Sequence, residues 1–480
     1  MNSSPLSKRT RWLQTARLAC AVAGITTLPA AASAQGFGLN EIGSCAVGRG
    51  FAVTGATCND ASVIFWNPAA AVDLPVGTMS LGGALIDVQG GFRQDTTLHR
   101  YAANVPTAKA PHFFLNSVNG RMAYGIGVYV PYGLTSQWNG DFPGRFEAIK
   151  TSLKTIYIQP NIAYALTPNW SVGGGPIIGH SDVELDQALD LSQQVAALIG
   201  GNPVTFGQLG IASGTEFATA QVKGSANAYG YNVGIHGKLG SAWTVGARYL
   251  SALQFNYDNA KATFQQVPTG LTLAAGNPIV PSGASAPLDA VVSSQFTGTG
   301  PLTSQGAQTS IKHPWQAQGG LGFTGFSNTT LSADIARIGW SSFQTLPLTF
   351  TGPASGSNRV LLEDYQDIWL YRFGAEYSMP TGSWQGIKLR GGYSYAQTPA
   401  PDVTVTPLLP DMPRQNASLG VGVPLSGGSV LDASYVHIGT PGRRGRVVER
   451  TSAAQTAEEL NSGSYDLSAN VFSLTLTTKF

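Results

Sequence analysis

The residues that could do chemistry are few and poorly placed for it. Gly320-Leu321-Gly322-Phe323-Thr324-Gly325 matches G-x-G-x-x-G, a spacing that cradles a pyrophosphate when it joins a strand to a helix N-terminus. Here it lies on an alternating stretch that enters a hairpin, so no nucleotide site follows. No G-x-S-x-G, H-E-x-x-H or phosphate-loop match occurs. The six histidines are scattered and read as lumen, loop or surface residues. A lipase that gathers Ser and His from separate strands would leave no motif, so that class stays open. The chain otherwise reads as a non-enzyme with no cofactor and no metal.

The N-terminus sets the compartment. Lys8, Arg9, Arg11 and Arg17 precede a largely apolar stretch, residues 18–28, and Ala32-Ser33-Ala34 has the form of a cleavage site. This is a secretory signal peptide, residues 1–34, with Gln35 as the mature N-terminus. Removing four basic residues takes the formal charge from +2 to −2, and neither value suggests a nucleic-acid partner. Cys45 and Cys58 remain. In an oxidising envelope a disulfide between them is expected, contributing about 3 kcal/mol on the chain-entropy model. The alternative, a metal site, lacks nearby histidines.

The elements that position these residues are strands. Phe472, Leu474, Leu476 and Phe480 share one parity at the C-terminus, and Ser473, Thr475, Thr477 and Lys479 the other. Alternate side chains of a strand point to opposite faces. The same alternation recurs from about residue 78 onward, for example Tyr229, Tyr231, Val233 and Ile235 against Asn232 and His236. An ordinary soluble sandwich alternates too. Charged residues, however, make up only 11% of the chain, against roughly 25% in soluble domains. No mature segment offers ~18 consecutive apolar residues. A barrel that is apolar outside and polar inside accommodates both facts. The expected fold is all-β, a transmembrane antiparallel β-barrel of about 14 strands over residues 78–480.

Connections are unequal. Thr167-Pro168-Asn169 and Gly240-Ser241-Ala242 are short turns, whereas residues 185–226 and 258–312 are long loops, the outer-membrane asymmetry. Within the first loop Ala188, Leu191, Val195, Leu198 and Ile199 have helical spacing, with Gly200-Gly201 as a stop. Residues 35–77 do not alternate and are expected to form a small plug. Asn67-Pro68-Ala69 reads as a rigid turn within it. Gly125, Gly127 and Pro131 fall in one strand-length segment, where a break is expected.

The terminal aromatic strand resembles the closing strand of Gram-negative outer-membrane barrels. That resemblance implies the barrel-assembly machinery as a partner. Gly36-Phe37-Gly38-Leu39-Asn40-Glu41, and Asn59-Asp60-Ala61-Ser62 followed by Phe65-Trp66-Asn67-Pro68-Ala69, resemble the opening and signature of one outer-membrane family. Further matches are Gly125-Ile126-Gly127-Val128 with Pro131-Tyr132-Gly133-Leu134, Gln159-Pro160-Asn161, Ala336-Arg337-Ile338-Gly339-Trp340, and Pro410-Asp411 with Arg414. The family comprises the long-chain fatty-acid and aromatic-hydrocarbon transporters. The resemblance implies a 14-stranded barrel closed by an N-terminal hatch. It also implies capture of hydrophobic molecules in an outer groove, for which Leu191, Val195, Leu198 and Ile199 are candidates, and lateral exit at a kink in the third strand. A monomer amid outer-membrane lipid and lipopolysaccharide is expected. A polar-solute porin and an adhesin or structural barrel are the alternatives.

Overall fold

The computed structural model describes residues 36–280, 284–445 and 462–480. The signal peptide and Gln35 lie outside them. Twenty-one strand segments form one antiparallel sheet; two short ones, Arg100–Ala102 and Arg443–Arg444, extend it beside its first and last strands, and the other nineteen align as fourteen staves of a closed barrel. They are β1 (Gly77–Gln94), β2 (Ala108–Asn119), β3 (Met122–Tyr129 and Gly133–Gln137), β4 (Lys150–Ala165) and β5 (Trp170–Asp190). Then come β6 (Glu216–Leu239), β7 (Trp243–Leu250 and Leu253–Gln266), β8 (Gln305–His313 and Gln316–Phe326) and β9 (Thr329–Ile338 and Thr345–Phe350). The last are β10 (Arg359–Leu362 and Ile368–Ser378), β11 (Lys388–Ala396), β12 (Arg414–Pro424), β13 (Val430–Gly439) and β14 (Gly463–Lys479). The ring closes through β1 and β14, in register from Thr78↔Lys479 to Gln94↔Gly463. Closure through β1 and β14 removes the two terminal edges of the sheet, the condition for crossing hydrocarbon with strands.

The alternation resolves with its sign inverted relative to a soluble protein. Phe472, Leu474 and Leu476 are exposed, while Ser473, Thr475 and Thr477 are buried. Tyr229, Tyr231, Val233 and Ile235 of β6 likewise face out, and Asn232 and His236 face in. Lipid, not a core, receives the apolar face.

Inward polar groups have a specific task. Residues 36–74 form two short helices, Ser44–Gly48 and Val63–Trp66, a 3-10 turn, Pro68–Asp73, and irregular backbone, almost all of it buried. Buried backbone needs partners, and inward side chains of the staves supply them. Gln159 and Asn232 donate to the Ile64 carbonyl at 3.0 and 3.2 Å, Gln318 to Trp66 at 3.2 Å, and Ser171 to Ala69 at 2.9 Å. Cys45 and Cys58 are joined by a disulfide with a Cα–Cα distance of 6.2 Å. Asp60 lies beside the two sulfurs, but sulfurs bonded to each other offer no thiolates to a metal.

Two expectations about the loops need correction. Residues 188–199 are not helical. β5 runs to Asp190, one turn covers Leu191–Gln193, and Val195–Ile199 pairs with Asn202–Thr205 as a hairpin. Gly200 and Gly201, both at positive φ (60° and 82°), make the hairpin turn rather than a helix stop. The staves also extend further than expected. The first long loop spans 191–215 rather than 185–226, and the second 267–304 rather than 258–312.

Candidate functional site

The site is built on a fault in β3. The β2–β3 ladder ends at Phe113↔Val128, while β2 continues to Ala108 with only β1 beside it. Against β4, β3 is paired at Tyr129↔Tyr157 and again at Gly133↔Lys154, so β3 uses one residue more than β4. Val130, Pro131 and Tyr132 leave the ladder. Pro131 cannot donate to it, and the Tyr132 side chain turns inward, its hydroxyl donating to Pro314 O at 2.9 Å. The upper half of β3 therefore parts from β2 and leaves a gap in the wall.

The groups freed at the fault are taken up by the N-terminal segment. Leu39 N donates to Pro131 O at 2.9 Å and Gly133 N to Phe37 O at 3.0 Å, with a bridge between Gly38 and Tyr132. Residues 37–39 thus act as a minute replacement strand. Phe37 fills an aromatic box, with ring centroids 4.6 Å from Trp340, 5.5 Å from Phe343, 5.6 Å from His313 and 6.1 Å from Tyr132. Gly36 has φ +59°, and a Cβ there would come within 2.6 Å of the Trp340 ring, so glycine is required on both counts.

A cavity of about 660 Å³ adjoins this segment. Its inner wall includes Ile86, Leu153, Ile438 and Leu467, with Phe37 and Leu39 on one side and Leu409 and Met412 of the β11–β12 connection on another. Lys109, Pro111, Lys154 and Ile156 also line it, yet they are exposed on the outer face of β2 and β4. The cavity therefore runs through the wall at the β2–β3 gap.

Three charged groups stand at its inner end. Asp411 accepts from Gly36 N at 3.1 Å and from Thr398 at 2.6 Å. Arg414 donates to Gly36 O at 3.0 Å and to Gly38 O at 3.5 Å. Burial raises the Asp411 and Glu41 carboxyls above the usual carboxylate range, with Arg414 pulling both the other way.

The sequence-derived residues are distributed differently from expectation. Pro131 is at the fault. Gly125 and Gly127 are not: both sit in intact ladder, opposite Asn116 and Asn161, and Phe114 and Gln159. A Cβ on Gly125 would stand 2.7 Å from Ile64, and one on Gly127 2.7 Å from the Phe114 ring. These glycines make room for packing against the N-terminal segment. Asn67 lies away from the fault. It donates to Thr54 O at 2.9 Å and Ile235 O at 3.1 Å and accepts from Ala69 N, while the Pro68 carbonyl accepts from Asn161. Leu191 joins an apolar cluster of the long loops with Phe206, Phe217, Leu273, Leu288 and Val292. Val195, Leu198 and Ile199 stand apart from it on the hairpin, 54, 72 and 42% exposed. Residues 36–41 and Pro410-Asp411 with Arg414 stand out in the sequence as family matches but carry no role there, and the seat of Phe37 and the Asp411–Arg414 clamp emerge only from the structure. Pro131 was a further signal, because it frees backbone groups that some other segment must satisfy.

Comparison with known proteins agrees with this architecture. The long-chain fatty acid transport protein of Escherichia coli K12 is 26% identical over 453 residues, covering 90% of this chain and 93% of that protein. Outer membrane protein P1 of Haemophilus influenzae is 26% identical over 259 residues, 48% of this chain and 56% of that protein. Among solved structures, a Pseudomonas aeruginosa FadL homologue superposes with a TM-score of 0.73 at 22% identity, covering 93% of this chain and all of that one. The Pseudomonas putida toluene transporter TodX gives 0.64 at 15% identity over the same shares. Residues 25–480 match the family profile described as outer membrane protein transport protein (OMPP1/FadL/TodX). With the closed barrel, this match makes the chain a Gram-negative outer-membrane protein of the OMPP1/FadL/TodX family of fatty-acid and hydrocarbon transporters.

Proposed function

We propose that this chain moves hydrophobic small molecules passively into the outer membrane, with lateral release between β2 and β3. The observation that carries the reading is the cavity that passes through the wall where β3 leaves its ladder. Capture begins at the exposed apolar hairpin bearing Val195, Leu198 and Ile199 and at the loop cluster around Leu191. Residues 36–39 then withdraw, and the molecule occupies the cavity. It leaves past Ile156, whose outward neighbours Ile158 and Ile162 face hydrocarbon. Each transfer is driven by apolar burial, at roughly 25 cal/mol per Å², and no energy-coupling site is invoked. The buried segment 36–74, read as a plug stapled by Cys45–Cys58 and seated through Asn67, Pro68 and Ala69, argues against a polar-solute porin. The E. coli relative is named for long-chain fatty acids and the P. putida structure for toluene, which supports a hydrophobic substrate.

The test closes the gap. Pro131→Val restores a ladder donor, and Gly133→Phe fills the space that Leu39 bounds at 3.0 Å. Uptake of radiolabelled hydrophobic substrate is expected to fall at least about tenfold, the effect of ~1.4 kcal/mol on a barrier. Heat-modifiable gel mobility reports that the barrel is folded. Undiminished uptake by a folded variant would rule out the lateral route and favour passage down the bore.

A further inference from the structure

Two cations flank the outer mouth of the gap. Lys109 of β2 and Lys154 of β4 both border the cavity, and both are exposed on the outer face. The ladders fix their relative level. Phe113, Val128 and Ile158 lie in one row across β2, β3 and β4. Lys109 precedes Phe113 by four residues and Lys154 precedes Ile158 by four. An even offset keeps a side chain on its face, so the two lysines point outward from one row on either side of the gap. At that row β3 contributes Gly133, the ladder partner of Lys154, which has no side chain to stand between them. Two strand spacings put their backbones on the order of 10 Å apart, a span that two four-carbon ammonium stems close onto one anion.

The row lies at the upper edge of the apolar belt. Along β4, exposed Ile162, Ile158 and Ile156 give way to Lys154. Leu85 of β1, the ladder partner of Lys109, is the last exposed apolar residue of its face before Asp87. At this level lysine heads meet lipid headgroups. Lys150, Lys223, Lys238 and Lys388 each have a carboxylate within ion-pair distance, whereas among the described residues Lys109 and Lys154 have none. Asp182 is the ladder partner of Lys154 on the side away from the gap, and it approaches His180 at 3.6 Å. Below the lysines the mouth is apolar, formed by Pro111 and Ile156. Cationic above and apolar below, it matches a lipid with an anionic head.

We propose that Lys109 and Lys154 hold the phosphate of an outer-leaflet lipid across the mouth of the gap, and that an acyl chain of this lipid lies over Pro111 and Ile156 and caps the opening. The cap's part in release rests on the lateral route proposed above: a molecule leaving the cavity exchanges with the resident chain, while the clamped headgroup keeps the lipid in place to cover the gap again.

Native mass spectrometry of the mature protein, titrated in detergent with lipid A as the phosphorylated lipid, reads the complex directly. The wild type is expected to retain one lipid A and to bind its chemically dephosphorylated form at least about tenfold more weakly. Lys109→Gln with Lys154→Gln should lower the affinity for lipid A at least about tenfold, and Lys109→Arg with Lys154→Arg should keep it, because the charge persists. Lys261→Gln with Lys312→Gln, at exposed positions that do not border the cavity, should have no effect. Pro131→Val with Gly133→Phe, which fills the gap, should weaken lipid A although both lysines remain. Heat-modifiable mobility shows whether each variant is folded. Equal binding of lipid A by the wild type and the double glutamine variant overturns the phosphate site. Displacement of lipid A by an equal concentration of inorganic phosphate shows a site for any anion and overturns the lipid as its occupant. Unchanged binding by the folded gap-filled variant overturns the acyl cap. Substrate uptake by that variant is read separately, so failure of the lateral route is distinguishable from failure of the lipid site.

Discussion

Phe37 is the most direct lever on the closed state. Its side chain is 3% exposed and touches four rings. Truncating a buried Phe to Ala costs about 3–5 kcal/mol in a closed core. The cavity already adjoins this position, so no sealed void is created and the low end applies, about 3 kcal/mol. The backbone bonds of residues 37 and 39 to 131 and 133 remain. The loss therefore falls on the local equilibrium between seated and withdrawn segment and spares the barrel. At ~1.4 kcal/mol per tenfold, the seated state should lose roughly two orders of magnitude of its preference.

Native-state amide exchange followed by peptide mass spectrometry reads this quantity, because local opening sets the protection of each amide. In Phe37→Ala, peptides spanning residues 37–41 should exchange roughly 100-fold faster than in wild type. Peptides from β1 and β14 should not change. Leu419→Ala, at an outward position that is 67% exposed, is the control and should leave residues 37–41 untouched. Unaltered protection of residues 37–41 in folded Phe37→Ala would show that the aromatic box does not hold the segment, and the withdrawal step would lose its basis.

Three further outcomes follow from the same geometry. Cys45→Ser with Cys58→Ser should weaken the N-terminal segment by about 3 kcal/mol, seen as faster proteolysis within residues 43–60, and non-reducing peptide maps of wild type should contain the linked pair. Deleting residues 36–70 should raise single-channel conductance in planar bilayers; equal conductance within error would refute the plug. Glu41 adds a pH dependence: burial, opposed by Arg414 and backbone amides, raises its carboxyl from 4.5. Seating is therefore strongest below the ordinary carboxyl range, weakens as pH rises through 4.5 toward the raised value, and is level above it. Glu41→Gln should flatten this dependence and tighten seating at neutral pH, as measured by exchange of residues 37–41 after correction for intrinsic rates.

The barrel was legible because its rule is simple. Period-two alternation with so little charge has few solutions, and the C-terminal strand alone carries the pattern that the structure places outside and inside. The loops were less legible because spacing is ambiguous there. Residues 188, 191, 195, 198 and 199 fit a helix on paper, but Ala188 is paired with Thr219 in β5–β6 and the diglycine reverses a hairpin. Glycine in β3 misled for a related reason. It can mark a break or admit a neighbour, and Ile64, some sixty residues upstream, decides for the second. Contacts such as Gly36 with Asp411 span 375 residues and leave no local trace.

The fault in β3 and the N-terminal segment are best understood as one device. In a wall facing hydrocarbon, a broken ladder would expose amides and carbonyls with no water to satisfy them. Proline at 131 alone would therefore make a poor opening. Here the freed Pro131 carbonyl and Gly133 amide are satisfied from inside by Leu39 and Phe37. The same bonds that keep the fault stable also lay the segment across the cavity and seat Phe37 among its rings. A closed ladder would leave residues 37–39 without a docking edge, and a free segment would leave the fault unsatisfied. The position of the opening and the identity of its cover are thus coupled through a handful of backbone hydrogen bonds. On the lateral route proposed above, a hydrophobic molecule that displaces the segment would unblock the adjoining gap in the same step.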